Sequence, residues 1–361
     1  MTSNLFTPIS LDAVTLSNRI AVSPMCQYMA EDGTANDWHL MHYGQLSMGA
    51  AGLLIFEATH VAPEGRISHR CLGLYSDENE AAIQRVVDFC KSHGVAKLGI
   101  QLAHAGRKGS VHTPMEGGKP LGPEENPWPT LGPSALPFAP GWHVPTALSD
   151  DGLATVKKQF VDAAVRAARI GFDVVELHVG HGYLLHEFVS PISNQRADQY
   201  GGSLDNRIRF PLEVFEAVRA VLPKGIACGA RITGSDWIDG GVSPDEMVVF
   251  AKELKSRGCA FVDVTSGQID PRQKIPFSPG YNVEFARRAK KEAGISAMSV
   301  GMITSAQQAE RIVSAGDADM VALARGAMDD PRWAWHAARE LGAETAYPPN
   351  YQRCHPSVWQ P

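Results

Sequence analysis

The sequence has no apolar run close to the ~18 to 20 residues that a membrane-spanning helix needs. It has no basic stripe either. Its 33 Lys and Arg stand against 39 Asp and Glu, a net charge of −6, which is the wrong balance for a nucleic-acid footprint. Cysteine is sparse: six are scattered along the chain and no two form Cys-x-x-Cys, so a zinc cage or an iron–sulfur cluster is not expected. Gly-x-Gly-x-x-Gly does not follow the first strand-like run, which argues against a doubly wound dinucleotide domain. His-Glu-x-x-His is missing, and no carboxylate at suitable spacing completes a metal site. The N-terminus shows no basic stretch followed by an apolar one. No signal peptide is expected, and the cysteines read as reduced thiols of a cytoplasmic protein.

What is present is a long rhythm. The chain has 361 residues, 44% of them hydrophobic, enough for a large core. Eight short apolar runs read as strands: 20–23, 53–57, 98–102, 173–177, 226–232, 261–265, 296–300 and 320–324. They are continuously apolar rather than alternating, as parallel strands covered on both faces are. Helical spacing falls between them at 78–93, 153–170, 208–222, 244–257, 283–293, 304–315 and 331–341. Ser243-Pro244-Asp245-Glu246 is a helix start by its cap, its proline and its acids. Eight β–α repeats with right-handed connections give a single (β/α)₈ TIM barrel over 1–361.

Two segments break the rhythm. Residues 108–149 are rich in Pro and Gly but carry Trp128, Phe138, Trp142 and His143. We expect an ordered lid-like excursion after the third strand. The tail 342–361 has too many prolines for a helix yet carries Tyr351, Arg353 and Trp359; it is expected at a subunit interface.

Active sites of such barrels lie at the C-terminal ends of the strands. There the sequence places Ser23 to Tyr28, then Ala58, Gln101, His104 to Lys108, His178 to Tyr183, Arg231, Gly301 to Thr304, and Arg325. His178 and His181 can donate to a developing oxyanion, and the Tyr183 phenol can deliver a proton. Gly301 and Arg325 follow the last two strands, where barrels commonly hold a phosphate. Taken singly, Gly301 reads as a turn residue and Arg325 as a rim ion pair. Tyr183 also has a bland reading, a core tyrosine with a satisfied hydroxyl.

Several longer segments carry a resemblance. They are Ser23-Pro-Met-Cys26-Gln-Tyr28, Gln101-Leu-Ala-His104-Ala-Gly-Arg107-Lys108, Glu176 through Pro191, and Asn194 through Arg207. Together they resemble the old yellow enzyme family over nearly the whole chain, and its thermophilic-like ene-reductase and xenobiotic reductase subgroup in particular. The resemblance implies an NADPH dehydrogenase or ene-reductase with non-covalent FMN, reduced by NADPH or NADH. It implies that Ser23, Pro24, Met25, Cys26, Ala58, Gln101 and Arg231 line the flavin ring. It gives the phosphate to Gly301, Ala324 and Arg325. It makes His178 and His181 the carbonyl or nitro ligands, Tyr183 the proton donor, Cys26 a tuner of the flavin's potential, and Tyr28 a wall of the substrate pocket. Met298 is expected to shape that pocket. Arg353 or Trp359 is expected to reach a neighbouring subunit's site in a homodimer or homotetramer.

The implied reaction is reduction of activated C=C bonds, in enones and nitroalkenes, with nitro compounds and quinones as further acceptors. A Schiff-base aldolase is the competing enzyme class. It needs a lysine at a strand's C-terminal end, whereas Lys97 and Lys224 precede strands and Lys108 lies beyond the third. A larger demethylating dehydrogenase is disfavoured because the cysteine cluster and a following nucleotide domain are lacking. A non-catalytic flavin-based redox sensor is the reading from outside enzymology.

Overall fold

The computed structural model describes residues 3–359. Near its start, β1 (Ile9–Leu11) and β2 (Val14–Leu16) form an antiparallel hairpin. Asp12 takes the left-handed conformation that such a tight turn requires. Leu11, Val14 and Leu16 are buried against Leu53, Val174, Ala227, Phe261 and Met298. The hairpin therefore plugs the end of the barrel where the strands begin.

Eight parallel strands close the barrel. They are β3 (Ile20–Val22), β4 (Leu53–His60), β5 (Lys97–Ala103), β8 (Val174–Val179), β9 (Ala227–Thr233), β10 (Val262–Thr265), β11 (Ala297–Val300) and β12 (Met320–Leu323). Two short strands outside it, β6 (Leu131–Gly132) and β7 (Thr146–Ala147), pair within the excursion after β5. The (β/α)₈ barrel read from the sequence is thus the observed architecture. All eight residues of β4 are buried, which is why its sequence shows no alternation.

Helices cover the outside: α1 (Asp37–Ser47), α2 (Asp77–His93), α3 (Asp150–Ile170), α4 (Leu184–Val189), α5 (Leu204–Val221), α6 (Pro244–Ser256), α7 (Val283–Arg288), α8 (Ala306–Ser314), α9 (Arg325–Asp329) and α10 (Trp333–Leu341). The sequence reading missed α1, α4 and α9. In α1 the apolar stripe is broken by His39, His42 and Gly44, and a cap holds its start. Asn36 Oδ1 accepts from the Trp38 amide at 3.1 Å, and His39 Nδ1 accepts from the Asn36 amide at 3.1 Å. The helix at Pro244 begins as read, with Ser243 and Glu246 capping each other.

One irregularity shapes the site. The β4–β5 register slips between Phe56 and Ala58, so Glu57 is an extra, bulged residue. Phe56 stacks on Tyr43 of α1. Tyr43 Oη donates to Glu57 Oε1 at 3.0 Å, so the bulge turns Glu57 to the helix side as well. Ala58 is thereby restored to register opposite Gln101.

Candidate active site

The rim where the strands end collects the polar residues. His178 and Arg231 sit side by side on β8 and β9. Beyond β8 the chain turns sharply, with His181 and Gly182 both left-handed. The His178 ring lies 5.1 Å from the His181 ring and 5.1 Å from the Tyr183 ring, both edge to face. His181 Nε2 is 2.8 Å from Thr265 Oγ1 at the end of β10. His178 Nδ1 is buried with no partner among the described residues.

A second layer holds this turn. His186 on α4 accepts from the Gly182 amide through Nδ1 at 2.8 Å, and its Nε2 lies 3.0 Å from Asp236 Oδ1. Since Nδ1 is an acceptor, the ring proton sits on Nε2, facing Asp236. His186 thus serves the site by holding this turn.

Below the rim lies a charged floor. Gln101 Nε2 donates to Glu176 Oε1 at 2.8 Å, and Arg231 Nε lies 3.0 Å from Asp263 Oδ2. Burial raises the pKa of both carboxyl groups, and Arg231 opposes it. From the sequence, Glu176 and Asp263 were only letters in apolar strands; their pairing with Gln101 and Arg231 on the neighbouring strands was invisible there.

The loop after β3 forms one wall. Cys26, Tyr28, Trp142 and Tyr183 pack around Ile67, Cys71, Ala105 and Val111. The Gln27 amide donates to Glu57 Oε2 at 3.0 Å, which ties this loop to the β4 bulge. Burial pushes the Cys26 thiol well above its usual range, and the nearby Glu57 adds to the push. A thiol held neutral is a poor nucleophile. Trp142 brings the excursion 108–149 into contact with the site; Arg107 binds the Leu136 and Pro137 carbonyls at its root.

The imidazoles are neutral. Burial, followed by the Arg231 charge, holds His178 and His181 well below the usual histidine range. The sequence left their charge open. Tyr183 is raised by burial, so its phenol stays protonated.

The corner between β11 and β12 differs from the rest. Gly301 has φ +128°, and a side chain there would collide with Tyr281 and Asn282. At Gly326 a side chain would meet nothing within 4 Å. Arg325 is exposed, and no ion pair involves it among the described residues. Open backbone amides beside an unpaired guanidinium suit a phosphate. Among the described residues Ser23 Oγ is buried without a partner, and Ala58 and Gln101 are register partners on the following two strands. The residues present therefore fit a flavin mononucleotide; Ser23 to Cys26, Ala58, Gln101 and Arg231 would line its ring, and Gly301, Ala324 and Arg325 would hold its phosphate.

One residue expected to shape the pocket lies elsewhere in the chain. Met298 is fully buried (0% exposed) among Leu11, Phe261 and Met320, beneath the rim. Its side chain fills the lower barrel and does not line the pocket. Strand-end counting failed because β11 is only four residues long and Met298 is its second. Arg353 and Trp359 lie on the chain's own surface, where the tail packs through Tyr347 and Tyr351 on Trp335 of α10.

An eight-stranded barrel with this rim has the makings of a flavin-dependent oxidoreductase. The chain matches the NADH:flavin oxidoreductase / NADH oxidase family over residues 4–344. It is 41% identical over 355 residues to an NADPH dehydrogenase of Geobacillus sp. (strain WCH70), covering 98% of this chain and 99% of that one. An NADPH dehydrogenase of Geobacillus thermodenitrificans (strain NG80-2) matches to the same identity over the same length. Among solved structures, morphinone reductase superposes with a TM-score of 0.78 at 28% identity, covering 97% of this chain and 93% of its own. A complex of 2-naphthoyl-CoA reductase, at 22% identity and TM-score 0.84, shares the fold over 93% of this chain and 52% of that one. The chain belongs to the NADH:flavin oxidoreductase / NADH oxidase family, that of the old yellow enzymes. Its cofactor is FMN and its reductant NAD(P)H. No helix among the described residues is long and apolar enough to cross a membrane.

Proposed function

We propose that this oxidoreductase reduces carbon–carbon double bonds activated by a carbonyl or nitro group. The observation that carries the reading is the unpartnered Nδ1 of buried His178, with His181 and Tyr183 grouped around the same ring. When bound, FMN passes the hydride equivalent of NAD(P)H to the β-carbon of such an alkene. The protein's part is the charge and the proton. As the β-carbon is reduced, negative charge moves to the substrate oxygen. Neutral N–H groups of His178 and His181 receive it, in a site where burial strengthens each hydrogen bond. His181 can do so through Nδ1 if Nε2 accepts from Thr265 Oγ1. Tyr183 Oη–H then protonates the α-carbon, and solvent restores the phenol. Tyr28 and Trp142 confine the substrate; Cys26 and Arg231 tune the flavin's surroundings.

The tail supports a proposal about assembly. Arg353 and Trp359 are exposed, Trp359 by 51%, and neither serves its own chain's pocket. A dimer or tetramer in which they complete a neighbour's pocket gives them a role, and sedimentation velocity of the full chain and of a form ending at residue 350 tests it.

The test of the reaction is spectroscopic. The purified protein should be yellow, bleach with NADPH and recover its colour with cyclohexenone under anaerobic conditions. A protein that bleaches but is not reoxidised by enones or nitroalkenes contradicts the proposal.

A further inference from the structure

Lys108 lies where none of the proposed roles reaches it. It ends a short turn after β5, and its ammonium has no carboxylate within ion-pairing distance among the described residues. Its Nζ donates to the His181 carbonyl at 2.8 Å and to the Gln268 carbonyl at 3.0 Å. Two aromatic faces complete its surroundings: Tyr183 at 5.1 Å and Phe138, from the excursion, at 4.9 Å to the ring centroids. A cation at that distance from a ring face is attracted to it.

This arrangement does two things. First, it pins a strained turn. His181 is a non-glycine residue at φ +56°, and a side chain at Gly182 would run into the Gln268 carbonyl. Lys108 bridges the carbonyls on both sides of that contact. Second, it sets a positive charge against the one aromatic ring that loses a proton. When the Tyr183 O–H bond breaks and the α-carbon gains the proton, the phenol becomes a phenolate. A neighbouring cation lowers the cost of that charge.

We infer that Lys108 is a positioning residue for Tyr183, holding the phenol over the substrate and stabilising the phenolate left behind when its proton moves to the α-carbon. This rests on the proposed alkene reduction.

The titratable groups facing Lys108 are Arg107 on its own turn, His178 on β8, His181 and Tyr183 beyond it, and Glu187 on α4. Burial, opposed by Glu187, brings the Lys108 ammonium down to about 7. Glu187 itself is raised to about 8 by burial. The two histidines are neutral throughout this range. Carbon protonation should therefore fade as pH rises through about 7.

The experiment uses the holoenzyme and the variants K108M and K108R in stopped flow. Bleaching by NADPH and reoxidation by benzoquinone, which needs no carbon protonation, should be unchanged in both. Reoxidation by cyclohexenone should slow by about tenfold or more in K108M and stay near wild type in K108R. K108R should also remove the fall in cyclohexenone reactivity above neutral pH, since arginine keeps its charge. With carvone, K108M should lose facial selectivity at the newly protonated carbon, because water replaces a held phenol. If K108M slows all three reactions alike, or none, the inference is wrong. If K108M fails to fold, K108R alone decides: a pH limb that stays in place belongs to Glu187 and overturns it. A wild-type enzyme that reduces no enone condemns the proposed reaction instead.

Discussion

His186 Nε2 lies 3.0 Å from Asp236 Oδ1 while its Nδ1 accepts from the Gly182 amide. The pair is buried, 50 residues apart in sequence, and holds the turn that carries both His181 and Tyr183. Asp236 is itself braced by the Ser190 hydroxyl at 2.7 Å and the Val242 amide at 2.7 Å. The site is thus held from α4 and from the loop after β9, not by the rim residues alone.

His186→Phe should leave the Gly182 amide and Asp236 without their partner. Losing a buried partner costs about 1–3 kcal/mol for each group left unsatisfied. We expect retained FMN, a lower melting temperature, and enone reduction slowed by about a hundredfold as the turn relaxes. Stopped-flow reoxidation with and without enone separates this from loss of cofactor.

Met298→Ala tests the correction to the sequence reading. The side chain is enclosed by the hairpin plug and Phe261. Its truncation should cost about 2–5 kcal/mol of stability by opening a cavity. Substrate preference should not move. Urea unfolding and a panel of enones check both halves; a changed panel with unchanged stability would return Met298 to the pocket wall.

Stability should peak near pH 6.5. Burial holds His60 and His104 down to about 3, and His39 and His42 to about 4. Their folded values lie below the ordinary 6.5, so the stability they contribute is complete above that value and is lost as pH falls toward 4. Glu57 and Glu187 are raised by burial to about 7 and 8. They contribute in the opposite sense, fully below about 4.5 and less as pH rises through 7 and 8. Counting His178 and His181, which are also lowered, and Glu176 and Asp263, which are also raised, six histidines oppose four carboxyl groups between 4.5 and 6.5, so the net change is still downward on acidification. Melting temperatures of the holoenzyme at pH 5, 6.5 and 8 should be highest at the middle value.

The barrel was legible because its strands are buried on both faces and its helices carry one apolar stripe. All eight barrel strands were found, although β4 runs three residues beyond the expected end at Glu57. α1 was not, since His39, His42 and Gly44 interrupt its stripe and its start depends on an Asn36–His39 cap. The hairpin plug was missed because its two strands have three residues each. Positions near strand ends were readable from the strand pattern: Ser23, Ala58, Gln101, His178, Arg231 and Arg325 all lie toward the rim. What sequence could not show was side-chain pairing between neighbouring elements far apart in the chain. Glu176 with Gln101, Asp263 with Arg231, and Asp236 with His186 are long-range contacts between residues that look unremarkable alone. The bulge at Glu57 is of the same kind: one extra residue that no periodicity announces.

Tyr183 is the proposed proton donor beside a neutral imidazole pair. The most direct measurement is anaerobic stopped flow of the Tyr183→Phe holoenzyme. NADPH should bleach the flavin at the wild-type rate, while reoxidation by cyclohexenone should slow by about a hundredfold or more, the usual contribution of a positioned general acid. Wild-type rates in both half-reactions would contradict it.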